Sequence, residues 1–142
     1  MVYGQGTDPR TATLKTGTTV SGAGLLLTND GTSNTLDLCG DGEVAIGVSA
    51  ADSSRDVEGD LVTSAGATVS FYPLGSVLMI QSEASQTYTT GLLVYAGASG
   101  QVIDSNDHTS KVVGVYVGTG EAVGAGGAGT LIPVNTAGHV TA

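Results

Sequence analysis

The sequence predicts an all-β protein, and three observations carry that expectation. Thr and Val are stiff at χ1 and suit a pleated surface, and together they make up about a quarter of the 142 residues. Gly numbers 23 and divides the chain into short apolar runs. Those runs recur with turn residues between them, the pattern of a sandwich or barrel. Hydrophobic residues reach 40%, enough for one modest core in one domain, although aromatics are only 4% and Trp is absent.

The elements follow in chain order. Residues 1–23 are rich in Thr and Gly and read as an extended N-terminal arm that packs on a neighbour. A simple first strand with a frayed end is the alternative. Residues 24–48 hold the strand candidates LLLT, TLDLC and EVAIGVS, separated by NDGTSN and GDG. Asn-Asp-Gly and Gly-Asp-Gly supply the φ > 0 residues that tight hairpin turns require. Further strands are expected at Thr11–Val20, Val57–Thr63, Thr68–Tyr72 and Val77–Gln81, with helical turns only at Ser49–Asp56 and Ser82–Gln86. The strands LLVY, QVID and KVVGVYVG come next, joined through AGASG and SNDHTS, and Gly129–Val134 supplies the last.

Two of these stretches say nearly the same thing. Gly24-Leu25-Leu26 returns as Gly91-Leu92-Leu93, 67 positions later, and the same spacing relates Asp37 to Asp104 and Gly47-Val48 to Gly114-Val115. Apolar pairs keep that register: Leu36 with Ile103, Ala45 with Val112, Ile46 with Val113. Residues 24–48 and 91–115 therefore read as two similar three-stranded units. One unit alone leaves open edges and an uncovered apolar face. Two can close a small β-barrel, so the expected organisation is an arm over 1–23 and one barrel domain over 24–142.

Charge narrows the function classes. The net charge is −9, with Arg10, Lys15, Arg55 and Lys111 as the only basic residues. Neutralising phosphates takes clustered Lys and Arg, so the chain is not expected to bind nucleic acid. Charged residues total 12%, leaving few of the charges that keep a monomer apart from its neighbours, which favours life in an assembly. Cys39 is alone and forms no intrachain disulfide. MVYGQGTDPR has neither a basic n-region nor an apolar h-region, and no run approaches the ~20 apolar residues of a membrane helix. A soluble product with no membrane partner, released inside the cell that makes it, is the expectation.

No motif points to chemistry. GAGGAG (Gly124–Gly129) satisfies G-x-G-x-x-G in form, but TLIPV follows instead of a helix and no later acidic residue exists to hold a ribose, so it reads as a loop. Acidic residues gather at Asp37, Asp41 and Glu43, and again at Asp104 and Asp107 beside His108. Neither run has the spacing of a calcium loop, and both read as solvated hairpin turns, with a cation at a subunit contact as the alternative. His139 lies far from His108, and Cys39 has no basic neighbour to activate it. Catalysis, a cofactor, a metal and a small-molecule substrate are all unexpected. SVLMIQ (Ser76–Gln81) is the most apolar run: a core strand, or a strand hidden between subunits.

GLLVYAGASGQV, KVVGVYVGTG and GAGTLIPV, in that order, resemble the C-terminal half of the small capsid decoration (cement) proteins of tailed bacterial and archaeal viruses. Gly91–Tyr95 and Val113–Val115 match that group's G-x-x-V-Y and G-V pieces, Gly129–Val134 resembles its G-T-x-x-V piece with one residue more before the Val, and Ala45–Thr63 looks like an earlier G-V strand with its successor. The resemblance implies a small β-barrel or β-tulip, trimeric in many members, on the outer capsid surface of the virion. There it would bridge neighbouring subunits of the major capsid protein without cofactor or catalysis. The residues expected at protein interfaces are Tyr3, Arg10 and Lys15 in the arm, with the two basic groups facing carboxylates, and Leu78 and Met79. A surface adhesin or receptor-binding module using loops Ala96–Gly100 and Ser105–Ser110 is the rival reading. A tail-tube or connector subunit is a third.

Overall fold

Along Val77–Gln81, Leu78 and Ile80 are buried while Val77 and Met79 stay exposed, the period of two that marks a strand with one covered face. The computed structural model describes residues 9–31, 34–50, 68–105 and 110–137 and is built from such strands, with no helix among the described residues. Strands β1 (Arg10–Leu14), β2 (Leu26–Asn29), β3 (Thr35–Leu38), β4 (Gly47–Ser49) and β5 (Thr68–Pro73) close a five-stranded barrel in the order β1-β3-β2-β4-β5. All neighbours are antiparallel except β1 and β3, which run parallel with Thr13 opposite Thr35 and Leu14 opposite Leu36. Closure leaves the barrel no open edge. Leu14, Val20, Leu25, Leu27, Leu36, Val69 and Phe71 form its interior.

The rest of the chain forms β6 (Val77–Gln81), β7 (Gln86–Tyr88), β8 (Leu93–Ala96), β9 (Val102–Ile103), β10 (Val112–Tyr116), β11 (Glu121–Val123) and β12 (Leu131–Asn135). Five of these make a second sheet in the order β6-β12-β10-β8-β9, and β7 pairs with β11. The two ends of the second sheet meet at one parallel bridge, Ser82 to Val102. Tyr88 fastens that seam: its hydroxyl lies 2.6 Å from Ser82 Oγ and donates to the Val102 carbonyl at 3.0 Å. Its ring stacks on Tyr116 with centroids 5.6 Å apart.

A shared core joins barrel and sheet. The inner side of the second sheet packs with Leu26, Cys39, Ala45 and Val48, which lie on the outside of the barrel. That arrangement explains the uninterrupted Leu25-Leu26-Leu27: Leu25 and Leu27 fill the barrel while Leu26 enters the shared core, so the strand is buried on both sides.

Strand pairings in the two sheets follow one scheme. Leu26 pairs with Val48 and Leu27 with Gly47; 67 residues on, Leu93 pairs with Val115 and Val94 with Gly114. The run from Arg10/Phe71 to Thr13/Thr68 matches the run from Leu78/Val134 to Gln81/Leu131. Val48/Tyr72 matches Val115/Asn135, and the parallel contact of β1 with β3 matches the Ser82–Val102 bridge.

Several expectations change. The barrel takes its strands from residues 10–73 alone, so the stretches 24–48 and 91–115 do not close one barrel together. The reason is that β1 and β5 flank the first stretch and pair with each other. Of the expected arm over 1–23, Arg10–Leu14 is a barrel strand, and Leu14 and Val20 sit in the barrel core. Residues 1–8 lie outside the described residues. No helical turn forms at Ser82–Gln86, where Ser85 takes φ +61 and Gln86 enters β7. Val57–Thr63 and residues 51–56 of the other expected turn are not among the described residues. Gly31 (φ +90) and Gly42 (φ +83) do adopt the backbone that the turns NDG and GDG require.

Candidate interaction surface

The second sheet is apolar on both sides. Its inner side chains, Leu78, Ile80, Ile132 and Val134 among them, enter the core, as alternation along β6 and β12 requires. The outward positions are Val77 and Met79 on β6, Leu131 and Pro133 on β12, Val115 on β10 and Leu93 on β8. Val77, Met79, Leu131 and Leu93 are 54, 49, 42 and 41% exposed, and Val117, just past β10, is 43% exposed. Register sets them side by side: Leu93 opposite Val115, Met79 opposite Pro133. Gln81, Asn135, Tyr95 and Val112, which lies opposite Tyr95, complete the outward side, so these strands carry no acidic or basic side chain there.

A groove of about 530 Å³ adjoins this face, lined by Val77, Met79 and Leu131 together with Gly24, Ala50 and Tyr72. Its wall is β6 on one side and the barrel on the other, held by hydrogen bonds from Gln81 N to the Gly24 carbonyl (2.7 Å) and from Gln81 Nε2 to the Ala23 carbonyl (2.8 Å). An uncharged apolar surface beside a shallow groove gains free energy by burial against another surface, and it offers little to an ion or a reacting group.

The expected interface residues scatter. Tyr3 lies outside the described residues. Arg10 is exposed at the start of β1, opposite Phe71. Lys15 Nζ lies 3.7 Å from Asp37 Oδ2 of its own chain, a partly exposed pair of the kind that contributes about 0–1 kcal/mol. Leu78 is a core residue, 7% exposed, whereas its neighbour Met79 points outward. Sequence reasoning missed Leu93, Val115, Leu131 and Pro133 as surface residues. The available signal was a strand that is apolar at successive positions, as in KVVGVYVG and LIPV, because a strand with one wet face alternates.

The remaining candidates are held by local structure. Cys39 is buried with Sγ 3.5 Å from the Glu43 carbonyl, and burial, then the Glu43 carboxylate, push its thiol up to about 12. Burial raises Tyr88 to about 12, with the Asp104, Glu83 and Glu121 carboxylates adding to the effect and the Ser82 hydrogen bond opposing it. Burial and a 3.0 Å hydrogen bond to Glu121 raise Tyr116 as well. Asp104 accepts from Thr87 N at 2.6 Å, and Asp41 accepts from Ser110 Oγ at 3.1 Å. Asp107, His108 and His139 lie outside the described residues. Among the described residues no three His, Cys, Asp or Glu side chains gather into a group fit to hold a metal ion.

Two loops also find their places. GAGGAG is a pair of turns between β11 and β12, with Gly127 N bonded to the Gly124 carbonyl at 3.0 Å, and no helix begins there. AGASG is fastened to the barrel: Leu26 N donates to the Gly100 carbonyl and Gly100 N to the Cys39 carbonyl, both at 2.7 Å. Ala98 N is held by Glu83 Oε2 at 2.6 Å. The chain matches no protein-family model and no curated protein sequence.

Proposed function

We propose that the protein is a structural virion subunit that decorates the outer capsid surface and cements neighbouring major-capsid subunits. The observation that carries this reading is the uncharged apolar side of β6-β12-β10-β8. The three phrases that resemble cement proteins fall on β8, β10 and β12, adjacent strands of that sheet. In the same reading the chain is two versions of one five-stranded unit, the second with the β7–β11 pair added, and the matched pairings 67 residues apart support it. Such a subunit works by burying area across a joint that otherwise opens. Specific contacts bury about 1,600 Å² in total, although area does not convert directly into affinity. A homo-oligomer, a trimer in the resembling group, multiplies weak contacts because the later ones form at high effective concentration.

Neither cofactor nor substrate enters this mechanism. The adhesin reading uses the loops Ala96–Gly100 and Ser105–Ser110; the Gly100 and Ala98 hydrogen bonds speak against that use of the first, and residues 106–109 of the second lie outside the described residues. Sedimenting the protein with emptied heads of the virus that encodes it tests the proposal. Saturable co-pelleting is the expected result. Heads that stay bare at saturating protein, or binding to glycans or host cells instead, would overturn it.

A further inference from the structure

The backbone edge of β6 is a feature apart from the outward face. In an antiparallel ladder, alternate residues turn their N–H and C=O groups to opposite sides. Ser82 N donates to the Thr130 carbonyl on the β12 side at 2.8 Å, and Gln81 N to the Gly24 carbonyl on the other side at 2.7 Å. Leu78 and Ile80 therefore bond Val134 and Ile132 of β12, while Val77 and Met79 turn their backbone groups away from it. Pro133, which has no N–H to give, stands opposite Met79 as that alternation requires. Among the described residues nothing bonds the N–H and C=O groups of Val77 and Met79. They face the groove of about 530 Å³ whose far wall includes Val48, Ala50 and Tyr72. The Met79 carbonyl oxygen lies 3.3 Å from where a Cβ on Gly24 would stand. Exposed sheet edges are normally blunted by Lys, Pro or a charge, or covered by another part of the chain. β1, the strand that matches β6 in the barrel, opens with Pro9 and Arg10. β6 reads VLMIQ and carries no such guard.

We infer that the edge of β6 takes an added strand from an extended, basic-flanked segment of a partner polypeptide, seated in this groove. The unpaired backbone selects that class of occupant, because an extended chain repeats donors and acceptors at the spacing of the edge. Alternation then fixes the character of the segment. Its residue opposite Leu78 turns inward toward Leu78, Val48 and Tyr72, so it is apolar. The residues on either side of it exchange backbone hydrogen bonds with Val77 and Met79 and share their outward side. Charge complementarity sets the flanks: a chain of net charge −9 favours Lys or Arg there over Asp or Glu. The inference goes beyond the capsid reading and does not depend on it, since it rests on the edge alone.

The test titrates the full chain with a capped synthetic peptide of three valines flanked on each side by threonine and then lysine, followed by calorimetry and by amide exchange in nuclear magnetic resonance. Saturable binding is expected, with the Val77 and Met79 amides newly protected from exchange. Methylating alternate backbone nitrogens of the peptide is expected to weaken binding about tenfold in one set and little in the other, because a strand bonds along one edge only. Met79→Pro removes a donor from the edge without touching the ladder to β12, and it is expected to weaken binding about tenfold. Met79→Lys, which guards the edge at an exposed position, is the milder variant and is expected to act in the same direction. Circular dichroism checks that both keep the fold. The same peptide with glutamates in place of the lysines is expected to bind more weakly. A wild type that binds no peptide, equal loss from both methylated sets, folded variants that bind as the wild type does, or equal binding of the glutamate-flanked peptide would each overturn the inference. Peptide binding by a protein that leaves viral heads bare supports this inference and overturns only the capsid reading.

Discussion

A methyl group on Gly114 would sit 2.3 Å from the Asn135 carbonyl oxygen, and one on Gly47 would meet the Phe71 ring at 2.6 Å and the Tyr72 carbonyl at 2.8 Å. At both positions a neighbouring strand crosses where a side chain would stand, so Gly47→Ala and Gly114→Ala are each expected to cost about 1–3 kcal/mol by overpacking, read from urea midpoints. The repeated Gly-Val is plain in the sequence, yet its reason is not, because the crowding atoms come from β5 and β12. Titration belongs to the same scale. Tyr88 binds its phenolic proton more tightly folded than unfolded, since burial lifts it from 10.0 to about 12. Its contribution to stability is therefore complete below about pH 10 and is lost as the pH rises toward about 12. Denaturation midpoints measured across that window are expected to fall, and to fall less in Tyr88→Phe. The Cys39 thiol, raised to about 12 by burial and Glu43, is expected to resist iodoacetamide at about pH 8 in the folded protein. It should react once the chain is unfolded, with mass spectrometry as the readout.

Among the elements, β2 carries the most. Leu26 and Leu27 are both 0% exposed and serve different cores, so Leu26→Ala and Leu27→Ala are each expected to lose about 2–5 kcal/mol in chemical denaturation. How legible each strand was depended on what lies around it. Val77–Gln81 was readable to the residue because an unbroken apolar run sits between turn residues. β1 was read both as a strand, over Thr11–Val20, and as part of an arm, because RTATL shows water a polar outside and gives the core only Leu14 in full. β7 and β11 escaped notice because three residues, QTY or EAV, are too short for any period, and their pairing depends on a contact across 33 positions, as between Tyr88 and Glu121. The outward face stayed hidden for another reason. Sequence shows that a strand is apolar on both sides, but only the packing shows which side lacks a cover.

At the scale of the molecule, the shared core couples the barrel to the second sheet, since Leu26, Cys39, Ala45 and Val48 pack directly with the inner side of β6, β8, β10 and β12. Thermal or urea unfolding is therefore expected as one transition, with far-ultraviolet dichroism and tyrosine fluorescence coincident; two separated transitions would mean that the shared core is not limiting. Such coupling suits a subunit loaded mechanically, because force applied to the outward face passes through strands that also hold the barrel. The capsid assignment itself is tested most directly by scanning calorimetry of emptied viral heads titrated with the purified protein. A saturable rise in the melting temperature of the shell is the expected result. A shell that melts unchanged at saturating protein would contradict the assignment.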